Sequence, residues 1–398
     1  MTEWRLKDCC YSISDGDHLP PPKSSYGIPF ITISNIDSTN HIDFENTLFV
    51  PIEYYNNLDS IRKPQVNDII YSVVGSFGKP VLIKENRPFV FQRHIAILRP
   101  NNEIADSRYL YYVMLSRDFY MQADSVALGA AQRTISLTSL RNMKVQLPDL
   151  DVQRRIAEVL SRYDALIENY QRQIKLLEEA AQRLYKEWFV DLRFPGHQST
   201  PIINNLPQSW QKKKLGEIAD VNCKSISRDY PFDFVDYIDL GAVREGHIEK
   251  PTRYLYGEEP GRAKRVASDG DIIWGMVRPN LKAYALVQNP KRSEVFSTGF
   301  SIITARDVPF SFLYCAVTTE AFVGYLVNCT NGAAYPAVKA EHFEKADLVI
   351  PSKMVLDNFH QHVGSMYRTI GYLQTQIRNL SEARDRLLPK LMSGEIEV

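Results

Sequence analysis

The chain has 398 residues, 44% hydrophobic and 24% charged, with a formal net charge of zero at pH 7; this fits more than one folded domain and excludes a disordered chain. No apolar run reaches the ~20 residues a membrane helix needs, and the start MTEWRLKDCC lacks the basic-then-apolar layout of a secretory signal, so a cytoplasmic protein with no membrane partner is expected. The five cysteines (Cys9, Cys10, Cys223, Cys315, Cys329) contain no C-x-x-C spacing, which leaves no disulfide framework or zinc knuckle and predicts reduced thiols.

Neutrality conceals an uneven distribution. Residues 1–60 hold three Lys/Arg against nine Asp/Glu, residues 61–146 hold twelve against six, and residues 262–345 hold ten against seven. A basic face can therefore sit on a neutral chain. Residues 68–74 form a short, β-branched run bounded by glycine and read as a strand. The following GSFGKP (75–80) predicts a turn, since its lysine lacks the Ser or Thr that a phosphate loop requires. Residues 108–122 carry apolar side chains at helical spacing.

After Pro148 the pattern changes. Ile156, Leu160, Tyr163, Ile167, Tyr170, Ile174, Leu177, Ala181, Leu184 and Trp188 alternate steps of four and three, which is a coiled-coil seam. A run rich in Pro, Gly, Asn and Ser follows (RFPGHQSTPIINNLPQSW) and predicts a linker over 193–209. Strand-like 271–277 and helix-like 309–327 come next. A second seam closes the chain: Phe359, Val363, Met366, Ile370, Leu373, Ile377, Leu380, Arg384, Leu387 and Leu391, with Arg384 its one exception and Pro389 near the helix end.

These elements repeat. At an offset of 203 residues, Asp68-Ile69-Ile70 returns as Asp271-Ile272-Ile273, Leu110-Tyr111 as Leu313-Tyr314, Gly129-Ala130-Ala131 as Gly332-Ala333-Ala334, and Pro148 as Pro351. The spacing holds without a gap over more than a hundred residues, which marks a tandem duplication. The first sixty residues of each copy match less well, and aligning Trp4 with Trp210 needs an offset of 206. The fold expected is α+β: two globular domains in tandem, with two long helices that pack as an antiparallel pair. The first helix leaves domain one, a short linker ties its far end to domain two, and the second helix runs back. A 33-residue seam spans roughly 50 Å. The boundaries expected are 1–150 (first domain), 151–192 (first helix), 193–209 (linker), 210–352 (second domain) and 353–398 (second helix and tail).

Catalytic machinery is missing from the sequence. It contains no G-x-x-x-x-G-K-[ST], H-E-x-x-H or G-x-S-x-G, no Asn-Pro-Pro-aromatic motif of an adenine methyltransferase, and no nuclease carboxylate cluster. His360 and His362 lie two apart on one helix, point to different faces and read as solvated side chains, leaving no metal site.

The order of domain, helix, linker, domain and helix, the closing segment LGAAQRTISLTSLRNMKVQLPDLDVQRRIAEVL of the first domain, the strand-opening Gly270-Asp271-Ile272-Ile273 and the terminal RDRLLPKLMSGEIEV together resemble the specificity (S) subunit of type I restriction-modification systems over essentially the whole chain. Two departures are visible: Asn67 stands where a glycine precedes Asp271, and 354–358 lacks the glutamine of Asp151-Val152-Gln153. The resemblance implies a non-catalytic subunit that binds double-stranded DNA. Each domain would be a target-recognition domain reading half of a gapped bipartite site, and the helices would set the spacer in a pseudo-twofold arrangement. It implies two methyltransferase (M) subunits as partners, which bind S-adenosylmethionine and methylate adenine, and restriction (R) subunits that use ATP and Mg to translocate and cut. No cofactor is expected on this chain.

Arg and Lys suit guanine and phosphate, while Asn and Gln suit adenine. The candidate contacts come from basic loops at equivalent places in the repeat: Lys79, Arg87, Arg93, Gln132 and Arg133 in the first domain, and Arg262, Lys264, Arg265, Arg278, Asn280, Lys282, Tyr335 and Lys339 in the second. Removing Arg133 or Arg278 is expected to weaken binding of the assembled complex to its site. Outward Arg172, Lys175 and Glu179 offer a docking face for the methyltransferase. Two other readings stand beside this one. A tandem coiled-coil scaffold binding protein partners would show no gel shift with its partner, and a fused methyltransferase-nuclease would methylate DNA alone.

Overall fold

The computed structural model describes all residues except 17–20, 38–39, 130–132, 228 and 331–335. The chain divides into two compact units, residues 1–168 with 378–398 and residues 169–377. In chain order the elements begin with β1 (Thr2–Arg5), β2 (Cys10–Asp15), β3 (Ile28–Ile31), β4 (Leu48–Val50), α1 (Ile52–Asn57), β5 (Ile69–Ser72), β6 (Pro80–Leu82), β7 (Val90–Phe91), β8 (Ile95–Pro100), α2 (Ser107–Leu115), α3 (Arg117–Val126), α4 (Leu137–Asn142) and β9 (Lys144–Leu147). The long helix α5 (Leu150–Tyr185) follows and ends in a π-helical turn, Lys186–Val190. Next come β10 (Ile202–Ile203), β11 (Leu206–Pro207), β12 (Gln211–Lys214), α6 (Leu215–Ile218), β13 (Ala219–Val221), β14 (Phe234–Ile238), β15 (Val243–Arg244), β16 (His247–Ile248), β17 (Thr252–Leu255) and β18 (Ala263–Arg265). The chain closes with β19 (Ile272–Gly275), β20 (Tyr284–Leu286), β21 (Glu294–Ser297), β22 (Phe300–Ala305), α7 (Phe310–Val317), α8 (Glu320–Asn328), α9 (Ala340–Glu344), β23 (Asp347–Ile350) and the second long helix α10 (Lys353–Ser393).

The duplication is visible in the elements themselves. Strands β5 and β9 and helices α2, α3, α4 and α5 begin 203 residues before β19, β23, α7, α8, α9 and α10. Unit 1 has an antiparallel sheet ordered β2-β8-β5-β6 and a smaller sheet β4-β3-β7, in which β3 and β7 run parallel. Unit 2 has β13-β22-β19-β20 and β17-β14-β21-β18, with β14 parallel to β21. Strands β5 and β19 are buried throughout because both of their faces are covered. Ile69 and Tyr71 face the helical core of unit 1 while Ile70 faces the core under the small sheet; Ile272 and Trp274 divide from Ile273 in the same way. Fully buried Trp274 satisfies its indole N–H on the carbonyl of Val317 at 2.9 Å.

Each central strand is entered through the same turn. Asn67 (φ 74°) and Gly270 (φ 83°) both take the left-handed conformation, and their N–H groups bond the carbonyls of Ile83 and Val287, each at 2.9 Å. Asparagine serves here because it tolerates that region better than other side chains. The neighbouring Asp68 and Asp271 accept from the N–H groups of Gln65 and Ser268 at 2.9 and 2.7 Å.

The missing glutamine of copy two also has a structural reason. Buried Gln153 accepts the N–H of Asp106 at 2.9 Å and donates to the carbonyls of Ile104 and Pro148. At the offset of 203, Pro309 replaces Asp106 and buried Leu356 replaces Gln153. Proline has no N–H to satisfy, so an apolar side chain fills the place.

No residue of either predicted seam is exposed. In unit 1, Ile156, Ala157 and Leu160 of α5 share a core with Leu388 and Leu391 of α10. In unit 2, Tyr185 and Trp188 lie 6.3 and 5.7 Å from Phe359 while Ile174 and Leu177 join the same core as Ile370. The pairing is antiparallel within each unit. Past Leu387 the buried position moves to Leu388, next to Pro389 inside the helix.

Two expectations need correction. Strand pairing sets Thr2 opposite Leu147 and Gln211 opposite Ile350. Trp4 is therefore equivalent to Lys213 rather than Trp210, which instead packs against Phe189 and Phe194. His360 is not a solvated side chain: its Nδ1 lies 2.8 Å from Ser311 Oγ and its ring meets Phe310 edge-on, leaving only His362 exposed.

Candidate nucleic-acid interface

In each unit the C-terminal end of the central strand gathers several backbone segments. After β5, Val73 N–H bonds the carbonyl of His94 at 2.9 Å, Val74 bridges Thr134, and Gly75 N–H bonds the carbonyl of Arg133 at 2.9 Å. After β19, Met276 N–H bonds the carbonyl of Gly299 at 2.8 Å, Val277 bridges Ala337, and Arg278 N–H bonds the carbonyl of Pro336 at 2.8 Å. The N–H of Thr298 reaches the carbonyl of Arg262, also at 2.8 Å. With the bonds of Ser72 N–H to the carbonyl of Lys79 at 3.1 Å and of Val338 N–H to that of Met276 at 2.9 Å, these bring the backbone of Lys79, Arg93 and Arg133 to one strand end in unit 1, and that of Arg262, Arg278, Asn280, Lys282 and Lys339 in unit 2. Arg87 sits beyond the other end of β7 with its guanidinium 4.0 Å from the Phe44 ring centre. Lys264 is exposed on the edge strand β18; Arg265, on the same strand, has a buried Nε without a partner, and burial lowers its pKa. Gln132 and Tyr335 lie outside the described residues.

Several of these cations already hold partners. Arg133 pairs with Asp124 and lies 5.4 Å from the Phe77 ring centre, and Phe77 is stacked on Tyr120 at 5.8 Å. Lys282 pairs with Glu320 and stands 3.7 Å from Glu245; Glu320 is the main cause that raises its pKa. Lys79 Nζ donates to the carbonyl of Asp37 at 3.5 Å, and Lys339 stands 3.9 Å from Glu341. Surface pairs such as Arg133–Asp124 contribute little, about 0–1 kcal/mol, so a phosphate can replace the carboxylate at small cost. Arg93, Arg262, Arg278 and Asn280 are exposed. The Phe77–Tyr120 stack and the acids Asp124, Glu245 and Glu320 carry no signal in the sequence: Phe77 lies in the turn 75–80, but nothing in sequence pairs it with Tyr120.

Among the described residues no group of His, Cys, Asp or Glu could hold a metal ion. The five cysteines are free. No single helix among the described residues is long and apolar enough to cross a membrane; the bent pair α7 and α8 passes only together, and most of its apolar side chains belong to the core of unit 2.

Residues 3–179 match the family described as the type I restriction modification DNA specificity domain. The MjaIX specificity subunit of Methanocaldococcus jannaschii is 27% identical over 73% of this chain and 69% of its own length. The HindI specificity subunit of Haemophilus influenzae is 21% identical over the full length of both. The chain is thus similar to the type I restriction-modification specificity (S) subunits, through the domain matched over residues 3–179 and through these relatives. Its fold is shared with the S subunit crystal structure from M. genitalium, with a TM-score of 0.58 at 15% identity over 98% of this chain and 95% of the other.

Proposed function

We propose that this chain is the DNA-binding, non-catalytic S subunit of a type I restriction-modification complex and reads a gapped bipartite target in double-stranded DNA, with residues 1–150 and 210–352 each reading one half. The helices over 151–192 and 353–398 set the spacer and dock two M subunits, and 193–209 links the halves. The single observation that carries this reading is the duplicated frame: the bond from residue 75 to 133 recurs from 278 to 336, and exposed cations stand beside it in both copies. Two half-sites a duplex turn apart, about 34–36 Å, present themselves on one side of DNA, a distance that helices of 36 and 41 residues can bridge.

In this reading the M subunits bring S-adenosylmethionine and flip and methylate an adenine, and R subunits bring ATP- and Mg-dependent translocation and cleavage. The chain works in the cytoplasm and contributes binding alone. Arg172 and Glu179 are exposed on α5 and available to an M subunit. Mapping N6-methyladenine in host genomes with and without the gene tests the proposal: one gapped motif should appear and vanish with the protein. An ungapped motif, or no change, overturns it.

A further inference from the structure

Resting on the reading of unit 2 as one half-site reader, we propose that its base-reading element is the loop 276–282, with Arg278 taking a guanine edge in the major groove. The first observation is conformational. Arg278 (φ 50°) and Lys282 (φ 53°) are both left-handed, and Arg278 occupies the place of Gly75 (φ 70°) in the other copy. A side chain in that region costs roughly 1–2 kcal/mol that glycine would avoid. Copy two therefore holds an arginine where the backbone favours glycine, as occurs where a side chain is needed at a fixed point.

The second observation is rigidity. Arg278 N–H is bonded to Pro336, Leu281 N–H returns to the carbonyl of Arg278 at 2.8 Å, and Lys282 N–H returns to Pro279 at 3.0 Å. Pro279 is buried, and the Lys282 ammonium holds the loop to Glu320 at the start of α8. A phosphate contact needs no such frame, because a flexible cation anywhere along the backbone suffices. Base readout needs a fork held in position.

Residue chemistry points the same way. Arginine reaches O6 and N7 of guanine through two parallel donors, and exposed Asn280, two residues on, has the amide pair that suits adenine. In copy one the same two places carry Gly75 and Phe77, the latter stacked on Tyr120. Neither can present a donor fork, so one scaffold reads its two half-sites through different chemistry.

The test maps methylated motifs made by the complete complex carrying wild type, R278G or R278K. R278G takes the glycine geometry of the other copy, so folding and assembly should survive. The expected result is loss of guanine preference at one position of one half-site, roughly tenfold in discrimination, with the other half unchanged. R278K should lose it too, since an ammonium offers no planar fork. A motif unchanged in R278G, or full guanine preference in R278K, overturns the assignment. Should R278G abolish methylation, binding of the assembled complex to duplexes varied at each half-site position decides. Loss confined to guanine at one position supports the proposal, and equal loss for all bases overturns it. Exchange of residues 210–352 for the domain of another S subunit separates the two readings. If that exchange alters one half-site and R278G does not, only the role of Arg278 fails; if the exchange alters neither half, the half-site reading fails.

Discussion

Arg384 interrupts the apolar seam of α10 because Asp164 meets it from α5: Arg384 Nη1 donates to Asp164 Oδ1 at 2.7 Å, and Tyr112 donates its hydroxyl to Asp164 Oδ2 at 2.5 Å. The two charged side chains are only 20% and 14% exposed. Removing one partner of such a pair strands the other in a low-dielectric setting, whereas replacing both by apolar residues is nearly neutral. R384L should therefore lower stability by about 2 kcal/mol, and R384L combined with D164L should recover most of that loss. Urea denaturation followed by circular dichroism measures both; equal stability of R384L and wild type would show that the pair contributes nothing.

Glu178 of α5 is half-buried in unit 2 next to Tyr314, with Gly246 against its Oε1. Burial first, and then the charge of Glu245, pushes its pKa up to about 7, while the Tyr284 hydroxyl and Lys282 are both drawn to Glu245 instead. A carboxyl whose folded pKa lies above its unfolded value of 4.5 stabilises the fold in its protonated form. That contribution is present below pH 4.5 and is lost as pH rises through about 7. E178Q should match wild type at pH 4, exceed it by on the order of 2 kcal/mol at pH 8, and flatten the pH profile between. Thermal melts across that range would expose the error if the two profiles run parallel.

If the exposed cations beside each frame meet phosphates, each alanine substitution at Arg93, Arg262 or Lys264 should weaken binding uniformly across DNA sequences. Each should also reduce the slope of log K against log salt by about 1. Titration of the assembled complex at several salt concentrations checks this; an unchanged slope in all three variants would place the phosphate contacts elsewhere.

Deleting residues 169–175 and their counterparts 372–378 removes one heptad from each helix, about 10 Å of length. If the helices set the spacer, the methylated motif should lose about three base pairs from its gap at ~3.4 Å per step, or assembly should fail. A variant that assembles and methylates with its gap unaltered contradicts a ruler.

Much of this architecture is written in short-range pattern. The offset of 203 places α7, α8, α9 and α10 from α2, α3, α4 and α5, because element order and heptad spacing are local properties that survive duplication. The first sixty residues resisted alignment since their strands are fixed by partners far along the chain, as Thr2 is by Leu147 and Gln211 by Ile350. The candidate interface was legible only as a set of basic loops. Which cations are already neutralised depends on Asp124 reaching Arg133 and Glu320 reaching Lys282, and nothing in local sequence reports such pairings. Arg384 marked a break in a seam, but its reason lay on another helix.

The bonds that hold the loop after each central strand, from residue 75 to 133 and from 278 to 336, use main-chain atoms alone. The exposed side chains at 278 and 280 can therefore be exchanged without redrawing that frame, even at a place where glycine and arginine alternate between copies. A lineage under pressure to recognise new DNA could change its reading surface by point substitution, one half at a time, while everything that assembles the enzyme stays as it was.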